Sequence, residues 1–533
     1  MINEDATFIQ NNEKSKRSHL KSYCSKNKVV SFLWAITRNI VPLELLGSHS
    51  NWRALRKTIW KFVNLRRHEK FSLTQCMKSL KLTHFPFLSH SRLPDSAANL
   101  KHTLLRKWIL WFFAHFISPL LQASFYVTES QNAFQEVFFY TKSTWLALRT
   151  SAVSHMTHES YQLLSIPRVE SITRGRAFGF SKLRFLPKDN GLRMLANLKA
   201  PSSLTCRPLI RRFKSVNYVL RDTHAILKGV LHENPRMLGS SVFDYNDVYR
   251  KLAPFTRALR EASTSFPYVF AVVADVSKAF DSINQDKLLE VMLDVVTDEK
   301  YCVEKASHVF CSKSSVWSRG VLSSRNGGNG FHSGSLGSVV VKEGTRSVRK
   351  EEIFHVLKEH VKRNVVRVDK RFYLQTLGVA QGSAVSSQLC SVYYGHLENS
   401  VVFPFLERIR DLPSPRYLLL RFIDDFLFLS TSKVQAQGFL SRLHRGFHRY
   451  NCYMNDSKFG FNFHVSGIES NRAHTGEDGV VFLKWSGLLL SSRTLHVQAD
   501  YSKYLNCHIR STLTICGHDR PGRNLKRKLL AFL

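Results

Sequence analysis

The chain has 533 residues, of which 44% are hydrophobic, 12% aromatic and 22% charged, a globular balance that excludes a wholly disordered or collagen-like protein. Lysine and arginine number 77 against 40 aspartate and glutamate, a net charge of +37. Like charge at that density repels itself, so it points to a polyanionic partner such as nucleic acid or a membrane surface; the length implies roughly three to four domains. The 9 cysteines form no C-x-x-C pair or Cys/His cluster, which predicts reduced thiols in an intracellular compartment and no structural zinc.

Residues 1–28 are polar and carry no secretory apolar core. Residues 29–165 are predicted mostly helical, with the clearest helix at 51–68. There Trp52, Leu55, Ile59, Phe62 and Val63 share one side, and Arg53, Arg56, Lys57, Trp60 and Lys61 the other. A basic face holding an aromatic suits nucleic acid, although an ordinary solvated face has the same composition. Residues 108–127 are nearly apolar and about membrane-span length; Pro119 should break a helix there, which favours a buried helix followed by a strand over membrane contact. The run 181–198 is predicted as a hairpin around Asp189, Asn190 and Gly191, with Lys188 and Arg193 beside the turn. Paired cations suit a triphosphate, or are two surface charges.

Residues 270–276 form an apolar run of buried-strand length containing Asp275, followed by a helix whose start has Ser282 and Gln285 spaced as a capping box. Residues 320–345 are rich in Gly and Ser and read as a flexible loop inside an insertion; 351–366 reads as a basic helix. In 376–401, Gly378 and Gly382 allow close backbone approach to a ligand, and Ser383 to Ser387 open a helix packed through Leu389, Val392, Tyr393 and Leu397. Residues 418–430 are two apolar β runs around Asp424 and Asp425. Adjacent carboxylates among apolar residues are costly unless a cation answers them, and Mg²⁺ takes one or two carboxylates plus phosphate oxygens. With Asp275 they would make a three-carboxylate site able to hold two metals ~3.5–4 Å apart, the arrangement for in-line attack on phosphate; a turn using Asp for its backbone preference is the plainer alternative.

In this order the runs resemble the reverse transcriptase motifs. LRFLPK and GLR (183–193) are similar to motifs 1 and 2, VVADVSKAFDSI (272–283) to motif A, and GVAQGSAVSSQLCSVYYGHLEN (378–399) to motif B′. LLRFIDDFLFLS (419–430), YNCYMNDSKFGFNF (450–463) and FLKWSGLLLSS (482–492) resemble motifs C, D and E, with TLHVQADYS (494–502) continuing the last. More narrowly, the chain resembles the telomerase reverse transcriptase family. SFYVTESQNAFQEVFFYTKSTW (124–145) looks like its T motif and 30–73 like its upstream RNA-binding motifs, and the long spacing between motifs A and B′ matches its fingers insertion.

The resemblance implies an α+β protein: a mainly helical RNA-binding domain, then the palm and fingers of a right-hand polymerase, then a partial helical thumb. The expected bounds are a polar segment at 1–28, an RNA-binding domain at 29–166, a reverse transcriptase domain at 167–490 with its insertion at about 295–370, and the start of a thumb at 491–533. The family's N-terminal DNA-anchoring domain has no room and the thumb is short, so the chain reads as truncated at both ends. The implied function is RNA-directed DNA polymerisation at chromosome 3′ ends, copying a bound RNA by two-Mg²⁺ nucleotidyl transfer. The alternative is a truncated RNA-binding isoform or scaffold without extension.

Carried over by position, Asp275, Asp424 and Asp425 are the implied catalytic metal ligands. Lys188 and Arg193 would grip the nucleotide, Phe280 would bar a 2′-hydroxyl, and Gln381 and Gly382 would lie beside nucleotide and template. Lys458 would act as general acid or phosphate contact, and Trp485 and Gly487 would support the primer terminus. Phe125, Tyr126, Thr128 and Glu129 of the T motif, with Trp60, would serve RNA binding. Ala380 departs from the family's usual Pro, and Phe280 stands where Tyr is frequent. The implied partners are telomerase RNA, telomeric single-stranded DNA and deoxynucleoside triphosphates, with no membrane, in the nucleus at telomeres.

Overall fold

The computed structural model describes residues 22–67, 69–89, 98–130, 136–188, 191–206, 209–262, 265–312, 315–324, 338–409, 416–505 and 522. They divide between two compact units, one comprising Met1–Met156, Phe185–Met194 and Asn506–Leu533, the other Thr157–Arg184 and Leu195–Leu505.

The first unit is helical around one hairpin. Helix α1 (Lys26–Ile40) is capped by Ser25, and α2 (His49–Val63) by Ser48, whose hydroxyl accepts from the Asn51 amide at 3.3 Å. Helix α2 buries Trp52, Leu55, Ile59 and Val63 as its periodicity predicts, leaving Arg53, Arg56, Lys57, Trp60 and Lys61 exposed. It stops at Val63, not at 68, because the Asn64 side chain caps the Trp60 carbonyl at 2.8 Å.

The apolar stretch corrects one expectation. Pro119 does not break the helix. Helix α3 (Ala98–Trp111) passes into a π-helical stretch, Phe112–Ile117, and resumes as Ser118–Ser124 with Pro119 directly after the altered turn. The Ser118 hydroxyl takes up the Phe113 carbonyl at 2.6 Å. The run Asn99–Ser124 is long and apolar enough to cross a membrane, yet Leu105, Ile109, Phe112, Phe113, Ile117 and Leu121 lie in this unit's own core. The expected strand follows: β1 (Phe125–Glu129) pairs with β2 (Val137–Thr141), Phe125 opposite Thr141.

In the second unit, β3 (Tyr161–Leu164) begins a sheet joined by β4 (Ser181–Lys188), which pairs in parallel through Ser181 and Lys182 with a later strand, β9 (Val365–Val368). Helices α4 (Arg221–Glu233) and α5 (Tyr245–Glu261) lead to β5 (Phe270–Asp275) and α6 (Gln285–Val295). The expected capping box at Ser282 does not form. Asn284 caps α6, its side-chain oxygen accepting from the Asp286 and Lys287 amides at 3.0 and 3.1 Å. Gln285 is buried instead, donating to the Gly378 carbonyl at 3.0 Å.

The described part of the insertion is a sheet. Strands β6 (Lys300–Ser312), β7 (Ser315–Ser324) and β8 (Ser338–Arg349) pair antiparallel in the order β7-β6-β8, so the flanks of the Gly/Ser-rich stretch are strands; 325–337 lies outside the described residues. The basic helix, α7 (Lys350–Lys362), ends before 366 because the chain turns into β9, which pairs antiparallel with β10 (Arg371–Gln375).

Helix α8 (Ser386–Leu397) and the hairpin of β11 (Tyr417–Phe422) and β12 (Asp425–Ser430) complete the centre, followed by α9 (Lys433–Arg445). A short strand, β13 (Gly460–Phe461), closes the central sheet in the order β11-β12-β5-β13, all antiparallel. Both faces of that sheet are covered. On β5, Val272 and Ala274 join one core, while Ala271 and Val273 join another; on β12, Phe426 and Phe428 alternate likewise with Leu427 and Leu429. Both strands therefore read as continuous apolar runs. Beyond lies a second sheet in the order β14 (Ala473–Thr475), β15 (Val481–Trp485), β16 (Leu488–Ser491) and β17 (Val497–Ala499). Most of the expected thumb, 506–521 and 523–533, lies outside the described residues.

One buried ion pair ties α8 to the hairpin. Arg421 Nε on β11 donates to Glu398 Oε1 at 2.5 Å, and both side chains are fully buried. Arg421→Ala strands the carboxylate and should cost about 3–5 kcal/mol of unfolding free energy. Urea titration should show that loss, and a double replacement by Met at 421 and Leu at 398 should recover only part of it, because the Ile423, Leu238 and Ser391 carbonyls and the Ser240 amide lose these partners.

Candidate active site

Three aspartates meet at one end of the central sheet. Strand pairing sets Asp425 opposite Asp275, and Asp424 occupies the turn before β12. The turn is tight: Ile423 has φ +62°, and the Val276 amide donates to the Asp424 carbonyl at 2.9 Å. Arg421 braces it from below, donating to the Ile423 carbonyl at 2.8 Å and to those of Ser391 and Leu238 at 3.1 and 3.2 Å.

Two of the three carboxylates, those of Asp275 and Asp425, are in contact with cations. Lys458 Nζ lies 2.7 Å from Asp275 Oδ2. Arg472 spans two aspartates, donating through Nη1 to Asp425 Oδ1, with Nη2 3.6 Å from Asp275 Oδ1. The Ser486 amide donates to Asp425 Oδ2 at 3.0 Å, and the Trp485 indole to the Asp425 carbonyl at 2.9 Å. Burial pushes the Asp425 carboxyl from 3.8 up to about 6, against the charge and hydrogen bond of Arg472. Burial, then the neighbouring Asp275, raises Asp424 as well. Three hard oxygen donors on two paired strands and their turn suit a hard divalent cation. Among the described residues, however, no three His, Cys, Asp or Glu side chains converge as a ligand group. The oxygens of Asp275 and Asp425 are turned instead toward Arg472, Lys458 and the Ser486 amide.

The loop before α8 stands beside the aspartate strand. Gly378 has φ +77°, and a Cβ there would lie 2.6 Å from the Asp281 backbone, so glycine lets this loop meet the segment after β5. The Val379 amide donates to the Phe280 carbonyl at 2.8 Å, and Gln381 Nε2 to Asp281 Oδ2 at 3.0 Å. Gly382 has φ +87°; its carbonyl accepts from Asn217 at 3.1 Å. Phe280 is half-buried. Trp485 is buried, so its reach into the site runs through the Asp425 backbone; at Gly487, with φ +81°, an added Cβ would lie 3.3 Å from the Tyr245 hydroxyl.

Lys188 and Arg193 flank the turn of a hairpin whose outer part, Phe185–Met194, groups with the first unit. In that unit Tyr126 stacks on Trp145, with centroids 4.0 Å apart, and Phe125 packs edge-on against Phe32. Thr128 is buried, Glu129 pairs with Arg67, and Trp60 is 48% exposed. Sequence reasoning missed Arg472, Asn217 and the Arg421–Glu398 pair. A lone arginine within an apolar strand run was a signal for Arg421; Arg472 lies in a polar stretch with no such contrast.

The fold and this strand-end arrangement define a reverse transcriptase. Residues 207–505 match the family model described as "Reverse transcriptase (RNA-dependent DNA polymerase)", and 28–156 the "Telomerase ribonucleoprotein complex - RNA binding domain". The chain belongs to the reverse transcriptase family and, within it, to the telomerase reverse transcriptases. It is 40% identical to the telomerase reverse transcriptases of Oryza sativa subsp. japonica, over 94% of this chain and 41% of that protein, and of Arabidopsis thaliana, over 96% and 47%. With that of Rattus norvegicus identity is 31%, over 97% and 47%. The chain thus spans somewhat under half the length of these relatives. A telomerase structure from Candida albicans, in complex with a TWJ fragment of telomeric RNA, shares the fold at TM-score 0.71 and 18% identity, over 96% of this chain and 73% of that one.

The raised Asp425 carboxyl has a consequence for stability. A folded value above the unfolded one means that its contribution is full below about 3.8 and is lost as pH rises through about 6. Asp425→Asn lacks this titration. The melting-temperature difference, variant minus parent, should therefore rise across that window and level off above it; a flat difference would contradict the assignment.

Proposed function

We propose that this chain carries RNA-directed DNA polymerase activity of the telomerase type, extending DNA 3′ ends on a template within a bound RNA. The observation that carries the reading is the strand pairing of Asp275 with Asp425 beside the Asp424 turn, in a chain of this family. Asp275, Asp424 and Asp425 would hold two Mg²⁺. When bound, these ions would lower the pKa of the primer hydroxyl and steady the departing pyrophosphate.

The chain's own residues divide the remaining work. Lys188 and Arg193 grip the triphosphate, and Lys458 contacts phosphate or supplies a proton to the leaving group. The Phe280 ring bars a ribose 2′-hydroxyl, in a position braced by the loop at Val379. Gln381 and Gly382 line the nucleotide and template side, where backbone without a Cβ permits close approach. Trp485 and Gly487 form the primer support, with Trp485 acting through its bond to Asp425.

RNA binding falls to residues 29–166, through the exposed basic face of α2 with Trp60 and the hairpin carrying Phe125, Tyr126, Thr128 and Glu129. The net charge of +37 supports a polyanionic partner. The reverse transcriptase domain would span 167–490, with the insertion near 295–370 and the thumb beginning at 491. Telomerase RNA, telomeric single-stranded DNA and deoxynucleoside triphosphates are the partners of this reading, in the nucleus at telomeres.

The test is primer extension on a preformed RNA–DNA duplex with Mg²⁺ and deoxynucleotides. The parent chain should extend, while Asp275→Ala and Asp424→Ala should lose at least about 100-fold, beyond the ~10–100-fold that second-shell partners cost. Duplex binding should persist in all three. Full extension by Asp424→Ala would remove the metal assignment, and binding without extension by the parent would leave an RNA-binding protein.

A further inference from the structure

Arg472 has no part in the polymerase mechanism above, yet its backbone is fixed beside the aspartates while its charged end stays partly open to solvent. Its amide donates to the Phe459 carbonyl at 2.9 Å, and its carbonyl accepts from Lys484 at 2.9 Å, fastening it between β13 and β15. Gly460 makes room for it: a Cβ there would lie 2.7 Å from the Arg472 Cβ. The guanidinium reaches Asp425 Oδ1 through Nη1 and stands 3.6 Å from Asp275 Oδ1 through Nη2, with its side chain only 19% exposed. Lys458 holds the other oxygen of Asp275. Arg472 thus joins, with one planar charge, two carboxylates that face each other across paired strands.

We propose that Arg472 is a built-in counter-cation that competes with a divalent metal ion for the oxygens of Asp275 and Asp425, and so sets how strongly this site takes up metal before substrate arrives. A guanidinium and a dication cannot share the same carboxylate lone pairs, and a fixed positive charge a few ångströms away repels the ion. Uptake therefore requires Arg472 to give up its hydrogen bond to Asp425 and its ion-pair contact with Asp275. The polyanionic triphosphate is a natural acceptor for the released guanidinium, which would couple metal uptake to nucleotide arrival. This inference rests on the reading of the three aspartates as metal ligands.

The probe is Mn²⁺ alone, titrated into the full chain without nucleotide and followed by the loss of the free-ion electron paramagnetic resonance signal. Arg472→Gln should bind Mn²⁺ at least about tenfold more tightly than the parent, a modest share of the repulsion removed. Arg472→Lys keeps the charge but cannot span both carboxylates, so it should bind with an affinity between the two; it also serves should the Gln variant fail to fold by circular dichroism. The tightening should shrink when Asp275→Asn is added and vanish when Asp425→Asn is added with it. Unchanged or weaker Mn²⁺ binding in both Arg472 variants, with binding still dependent on Asp275 and Asp424, overturns the competition while sparing the metal reading. Mn²⁺ binding indifferent to both Asp275→Asn and Asp424→Asn overturns the two together.

Discussion

The placement of the acidic turn depends on the ion pair between Arg421 and Glu398. Both groups are out of solvent, so each would be prohibitively costly alone; together they are matched and further hydrogen-bonded. The arginine satisfies the Glu398 carboxylate and three carbonyls, those of Ile423, Leu238 and Ser391. The glutamate also receives the Ser240 amide at 2.6 Å. Four segments are therefore locked together: the acidic turn, α8, the helical residues just after it, and the stretch before α5. The left-handed backbone at Ile423, unfavourable for a β-branched residue, is held by this bracing. A site whose chemistry rests on carboxylate positions gains from a support that has few other ways to be satisfied.

The next constraint is electrostatic. Burial strips Asp424 and Asp425 of hydration, and the charge of Asp275 adds repulsion, which is why both resist ionisation. The cations that answer them, Lys458 and Arg472, come from the segment between α9 and the second sheet. The Trp485 indole comes from the end of β15 and the Ser486 amide from the tight turn after it. Regions remote in sequence from the aspartates thus set their ionisation and orientation, and the second sheet acts on the site through Asp425 even though Trp485 is buried.

Much of this was legible in the sequence because apolar runs and strand ends are local signals. The alternating burial of β5 and β12 follows from covering both faces of one sheet, and the aspartates mark where those runs stop. The amphipathic α2 was equally plain. The misreadings arose where a competing local interaction won. Asn284 out-competed Ser282 because its side chain reaches two amides at once. Pro119 was absorbed because it follows a π-helical stretch, Phe112–Ile117, and falls in the first turn of the helix that resumes after it. The Gly/Ser stretch hid strands because their pairing is decided by residues outside it, those of β6. Arg421 and Arg472 were missed for the same reason: an arginine's meaning lies in what it faces, and what these face is over 20 residues away in sequence.

The two arginines act at the same carboxylate turn by opposite logic. Arg421 is wholly enclosed, and every group it touches belongs to the scaffold, so moving it would expose a buried charge. Arg472 is partly open to solvent and touches the oxygens that the proposed chemistry needs. A charge with access to water can leave its partners at modest cost, whereas a fully buried one cannot. The turn between them therefore has a rigid floor and an exchangeable roof. That division is what a site must have if its ligands are to stay fixed while the cations around them change.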